Sequence, residues 1–136
     1  MTQPASSSLD LHDQVALITG AAGALGSMAA RTFARAGARL VLIDLDPVRL
    51  EERAQTLRTE TGTDVLACAA NVTDPVAIGN VVVMAVKAFG SVSVLLNNAG
   101  APMSKTLIES SPDDWRLVFE VNVIGTHDLT RRLIPA

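Results

Sequence analysis

The sequence predicts an α/β fold: a doubly wound parallel sheet with strand order 3-2-1-4. Three observations predict it. Short apolar runs alternate with helical patterns in the order βαβαβαβα along the 136 residues. Hydrophobic residues make up 49% of the chain and aromatics only 3%. The core must therefore be built from Val, Leu, Ile and Ala, which suits a buried parallel sheet under Ala-rich helices. Finally, small residues from Thr19 to Gly26 join the first apolar run to the first helical pattern.

Val15–Thr19 reads as strand 1. Leu25–Ala36 is an Ala-rich helix with Gly37 as its stop. Arg39–Asp44 reads as strand 2. Asp46-Pro47 opens helix 2, because Asp caps it and Pro in the first position gives up no needed hydrogen bond. That helix reaches about Thr61, before Gly62. Asp64–Ala69 is strand 3, and Asp74-Pro75 repeats the cap for helix 3, which ends near Gly90. Gly79, Asn80 and the β-branched Val81, Val82 and Val83 disfavour that helix by propensity; its length and its Asp-Pro start favour it. Val92–Leu96 is strand 4. Ser111 caps helix 4, with Asp113 and Asp114 at the positive end of its dipole, and the helix runs to about Leu133 before Pro135. Short right-handed crossovers give the sheet order and put the switch point between strands 1 and 4, where ligands bind at the carboxyl ends.

The motifs fall at that place. The Thr19–Gly26 loop lets backbone approach a pyrophosphate, and the helix N-terminus offers unpaired N–H groups. A turn of small residues with packing roles only has the same composition, and methyltransferases use a similar loop. Asp44 ends strand 2, where a carboxylate accepts both hydroxyls of an adenosine ribose and repels a 2′-phosphate. Neither Gly23 nor Leu45, where a base for NADP is looked for, is basic. A solvated Asp or a helix cap is the plainer reading, and Asp46 is the better cap. Asn71-Val72 after strand 3 suits an adenine contact and equally an ordinary turn. Asn97-Asn98-Ala99-Gly100 ends strand 4: two amides can tie adjacent loops, and two small residues leave room for a cofactor. Asn122 and Gly125 lie inside helix 4, where both are poor formers, which points to a functional distortion.

Net charge is −3, with scattered bases, which argues against nucleic acid as partner. No stretch is apolar for long enough to span a bilayer. The single cysteine, Cys68, excludes an internal disulfide and points to a reducing, cytoplasmic setting. His12 and His127 are isolated, so no metal site is expected. Residues 1–10 read as a disordered, Ser-containing leader and not a signal peptide; residues 11–136 are the domain.

In this order, T-G-x-x-x-G-x-G, the strand-2 Asp, N-N-A-G and V-N-V-x-G resemble the short-chain dehydrogenase/reductase family. The detail is most similar to its 3-oxoacyl-carrier-protein reductase and NAD-dependent alcohol dehydrogenase branches. The resemblance covers residues 11–136 and implies a Rossmann-like fold truncated after its fourth βα unit. It implies NAD in preference to NADP, held by Gly20, Ala22, Gly23, Leu25, Gly26, Asp44, Leu45, Asn71, Val72, Asn98, Ala99 and Gly100. One departure is Ala24, where the family has its middle Gly, with Gly23 one place earlier.

The family's catalytic set is Asn, Ser, Tyr and Lys. Only Asn122, which helps hold a water in a proton relay, has a counterpart here. The chain has no tyrosine, and its two lysines, Lys87 and Lys105, lie upstream of any Y-x-x-x-K. The resemblance thus implies an oxidoreductase that interconverts a secondary alcohol and a ketone by hydride transfer, with a small-molecule substrate and homo-oligomers in the full-length form. This chain by itself is expected to be the inactive N-terminal half. A non-catalytic NAD-binding module or partner subunit is the competing reading; N-N-A-G argues against a methyltransferase.

Overall fold

A computed structural model of the chain describes residues 9–134. All but the last two residues of the expected leader, and the final two residues of the chain, lie outside the described residues. The elements follow the expected order. They are β1 (Val15–Thr19), α1 (Ala24–Arg35), β2 (Arg39–Asp44), α2 (Pro47–Thr61), β3 (Val65–Ala69), α3 (Pro75–Phe89), β4 (Val94–Leu96), α4 (Pro112–Phe119) and α5 (Thr126–Leu133). The sheet is parallel in the order β3-β2-β1-β4.

Strand alternation divides the core in two. Ala16, Ile18, Leu40 and Leu42 face Ala30 and Ala34 of α1 and Leu50, Ala54 and Leu57 of α2. Val15, Leu17, Val41 and Ile43 face Ile78, Val81 and Ala85 of α3 and Leu129 of α5. Every residue of β1 is buried, because β1 lies between two strands and between two helical layers. Ala at the helix contacts lets the backbones come close to the sheet.

Helix 3 forms despite its propensities. Asp74 Oδ1 accepts from the N–H groups of Val76 (2.9 Å) and Ala77 (3.1 Å), and Ile78, Val81 and Ala85 supply one buried stripe. Burial of that stripe outweighs a few tenths of a kcal/mol per β-branched residue.

Four expectations need correction. Helix 1 runs from Ala24 to Arg35, one residue earlier at each end than expected, because Gly23 is its N-cap and Ala36 its C-cap. Strand 4 starts at Val94 and not Val92, because Ser93 Oγ accepts from Val15 N–H at 3.1 Å and so takes a place that a ladder backbone would hold. Strand 3 starts at Val65, one residue late, because the Asp64 carbonyl already accepts from Leu40 N–H but its residue lies before the paired stretch. Helix 4 is not one regular helix: α4 and α5 are joined by a π-helical turn over Glu120–Gly125. The weakness expected at Asn122 and Gly125 is this turn, and such turns concentrate at functional sites.

Candidate functional site

The loop after β1 turns sharply at Gly20, whose φ of +64° is in the left-handed region that favours glycine. The turn brings Gly26 of α1 against the loop: a Cβ on Gly26 would overlap the Gly20 carbonyl oxygen and meet Ala21 Cα and Asn98 Nδ2, each at 2.9 Å. The two glycines thus fold the loop tightly over the end of β1. Helix α1 then begins at Ala24 with Gly23 as its N-cap, with no side-chain cap and no acidic residue in its first turn. The other helices that follow a loop are capped by Asp46, Asp74 and Ser111. Only α1 among these points uncapped N–H groups and the positive end of its dipole into open space. Ala24, in place of a third glycine, is accommodated as the first helical residue.

The ends of β1 and β4 are stitched together. Thr19, the one buried polar residue among those described, accepts through Oγ1 from the N–H groups of Asn98 (3.0 Å) and Ala99 (2.9 Å). Asn98 Nδ2 donates to the carbonyls of Thr19 (3.1 Å) and Gly20 (3.2 Å). Asn97 Nδ2 donates to Thr130 Oγ1 of α5 at 3.0 Å. The two amides of N-N-A-G therefore tie neighbouring segments.

Asp44 closes the opposite side. Its Oδ2 accepts from Ala22 N–H at 2.9 Å and its Oδ1 from Asp46 N–H at 3.3 Å, while Asp46 caps α2 through Val48 and Arg49, both at 3.1 Å. Two neighbouring carboxylates thus have separate tasks. Beyond β3, Asn71 Oδ1 accepts from Thr73 N–H at 3.0 Å and from its hydroxyl at 2.9 Å, so the side chain braces its own turn.

These segments enclose a cleft of about 320 Å³. Of the residues singled out from the sequence, it brings together Gly20, Ala22, Gly23, Asp44, Leu45, Asn71, Val72, Ala99 and Gly100. Leu25 is exposed on α1, and Gly26 and Asn98 sit behind the wall as its supports. Ile43, Ala70 and Val121 also line it, and so does Arg49, whose Nη2 lies 3.4 Å from the Ala22 carbonyl. Sequence reasoning sought a basic residue only at Gly23 and Leu45. Arg49 could have been found by counting one helical turn in from the Asp46 cap. Thr19 was passed over because its task depends on β4 lying beside β1.

Asn122 stands at the cleft's far side, next to Val121. Its Oδ1 accepts from Ala101 N–H at 2.8 Å and its Nδ2 donates to the Ala101 carbonyl at 3.0 Å. The π turn presents this amide to the backbone that follows N-N-A-G. Gly125 closes the same turn; a Cβ there would come within 2.8 Å of the Val72 carbonyl oxygen, so its absence lets the helix reach the rim behind β3. Of the lysines, Lys105 is committed to Asp114, at 2.8 and 2.9 Å, and neither Lys105 nor Lys87 lines the cleft.

No helix of the described residues is long and apolar enough to cross a membrane, and they hold no group of three or more His, Cys, Asp or Glu placed for a metal.

The family described as short chain dehydrogenase matches residues 14–136. A bovine protein, dehydrogenase/reductase SDR family member 7B, is 37% identical over 93% of this chain and 40% of its own length. Among solved structures, L-sorbose reductase from Gluconobacter frateurii complexed with NADPH and L-sorbose superposes with a TM-score of 0.89 at 33% identity, over 94% of this chain and 49% of that one. A short chain dehydrogenase/reductase from Burkholderia phymatum in complex with NAD gives a TM-score of 0.84 at 37% identity, over 90% of this chain and 43% of that one. The chain thus spans about half the length, or less, of these relatives. With the match running from the start of β1 through the last helix, and the glycine turn, strand-end carboxylate and paired asparagines converging on one cleft, this chain belongs to the short-chain dehydrogenase/reductase family of oxidoreductases.

Proposed function

We propose that this chain is the dinucleotide-binding half of an NAD-dependent oxidoreductase, which in its full-length form interconverts a secondary alcohol and a ketone. One observation carries the reading. The uncapped N-terminus of α1 and the carboxylate of Asp44 open into the same cleft, one suited to a pyrophosphate and the other to a ribose diol. The residues present fit the cofactor. Gly20, Ala22 and Gly23 would hold the pyrophosphate with backbone N–H groups, Gly26 and Leu25 supporting them from α1. Asp44, with Leu45 beside it, would accept from the adenosine ribose. Asn71 and Val72 would border the adenine, and Ala99 and Gly100, placed by Asn98, would leave space towards the nicotinamide end. When bound, NAD supplies hydride acceptance. Asn122 holds the Ala101 peptide in register and so shapes that end of the cleft, where a water for proton relay would sit.

A carboxylate beside a 2′-phosphate is unfavourable, so NAD should bind more tightly than NADP. Titration with NADH and NADPH tests this. Tighter NADPH binding would overturn the preference, and absence of binding by either would overturn the site. Asp44→Ala should narrow the gap, because removing repulsion removes part of the discrimination. The small-molecule substrate, a cytoplasmic setting and assembly into homo-oligomers belong to the same proposal.

A further inference from the structure

We propose that Arg49 is a second specificity determinant of this cleft: a latent ligand for a 2′-phosphate, held opposite Asp44 across a single residue, Ala22. The inference rests on reading the cleft as a dinucleotide site. The Ala22 N–H donates to the Asp44 carboxylate at 2.9 Å, while the Ala22 carbonyl meets Arg49 Nη2 at 3.4 Å. A carboxylate and a guanidinium therefore flank the same residue, and both line the cleft.

The two groups are held very differently. Asp44 is anchored by two N–H groups. Arg49 is anchored through its backbone, by the Asp46 cap, but its side chain makes only the one long contact and forms no ion pair among the described residues. At 3.4 Å that contact is at the weak end for an N–H···O bond. A guanidinium has five donors in a fork that matches phosphate oxygens, and most of these are uncommitted here. Five arginines among the described residues are tied to carboxylates: Arg31, Arg58, Arg116, Arg131 and Arg132. Arg49, which faces the adenosine end, is not. A ribose diol is served by Asp44 alone. A phosphate on that ribose would be repelled by Asp44 and drawn to Arg49, so NADP would be disfavoured by less than a lone carboxylate dictates. Neutralising Asp44 would then convert the cleft to NADP through Arg49.

Calorimetric titration of the chain with NADH, NADPH, 5′-AMP and 2′,5′-ADP tests this; the last two probe the adenosine end alone. Asp44→Asn, which keeps an acceptor for the Ala22 N–H, should tighten 2′,5′-ADP and NADPH about tenfold or more, as expected of a charge-assisted bidentate contact. Asp44→Asn combined with Arg49→Gln should lose that gain, and combined with Arg49→Lys should keep part of it. Arg49→Gln alone should leave 5′-AMP and NADH nearly unchanged while weakening 2′,5′-ADP. That last comparison needs no Asp44 variant, so it decides the matter even where Asp44→Asn does not fold. A gain that survives Arg49→Gln, or an unchanged ratio of 5′-AMP to 2′,5′-ADP in Arg49→Gln alone, would overturn the role of Arg49 and leave the dinucleotide site standing. A parent chain that binds none of the four would overturn both.

Discussion

Thr19 shows how one hydroxyl can organise a site. It sits at the last position of β1, buried, and takes two backbone N–H groups from the segment after β4. Replacing it with Val keeps the shape and removes the acceptor, so both N–H groups lose their partner. Each such loss costs about 1–3 kcal/mol where the group is shielded from water. We expect Thr19→Val to lower the urea midpoint and to weaken NADH binding, with Thr19→Ser recovering both; a Val variant as stable as the parent would show that water replaces the hydroxyl. Proton transfer raises a different residue-scale question. With no tyrosine in the chain and both lysines away from the cleft, no group of the family's acid–base pair is present. General acid–base help is worth about 10²–10⁴-fold, so no NADH formation is expected from this chain with a panel of secondary alcohols. Turnover that survives purification and changes in Asn122→Ala would contradict this. Residue tasks were legible where they are local. Asp46 as cap and Asp44 as a non-cap could be separated because capping geometry depends on the next three residues. Thr19 was not legible, since its partners are set by a tertiary neighbour, and Arg49 was legible only by its place one turn into α2.

Among the elements, α4 has the most heavily determined start. Ser111 Oγ accepts from Asp114 N–H at 3.2 Å, and Asp114 returns the bond to Ser111 N–H at 2.8 Å, a reciprocal cap to which Lys105 adds an ion pair. The Lys105 ammonium, then the Ser111 N–H and hydroxyl, hold the Asp114 carboxyl well below the usual carboxylate range. Because the folded state lowers this pKa, its contribution is present in full above the ordinary carboxylate value of about 4 and is lost as pH falls below it. The stretch between N-N-A-G and α4 should therefore loosen in acid. Cleavage by pepsin should fall first within residues 101–110, and Asp114→Asn should give similar loosening at neutral pH to a neutral-pH protease. Equal protection of this stretch at pH 3 and pH 7 would exclude the mechanism. The element order was readable because each Asp-Pro or Ser-Pro start carries its own chemistry. The type of distortion at Glu120–Gly125 was not, because a π turn and a kink both arise from poor helix formers; the choice is made by the Ala101 peptide that Asn122 grips and the Val72 carbonyl that Gly125 approaches.

At the scale of the whole molecule, the two edges of the described sheet differ. These edges are β3, which pairs with β2 over five residues, and β4, which pairs with β1 over only three. Helix α4 and the π turn expose Leu117 (60%), Phe119 (56%) and Ile124 (52%). An open strand edge and an exposed apolar helix face each promote association. Light scattering after size exclusion should find dimers or larger species of this chain, and β4 amides should exchange faster than those of β1 and β2. A clean monomer with strongly protected β4 amides would instead favour a self-contained module. The sheet order was legible since strand alternation and short crossovers leave few topologies; how little of strand 4 pairs was not, because Ser93 replaces a backbone partner with its side chain. The stitch between Thr19 and Asn98 joins this edge to the glycine turn, so the two are expected to open together. A nucleotide that binds only the closed turn must then favour the paired edge as well, by about 2.7 kcal/mol at a hundredfold excess over its dissociation constant. Saturating NADH should accordingly slow both β4 exchange and the growth of scattering species. The cofactor would in this way act as a folding partner for the strand farthest from its own adenine.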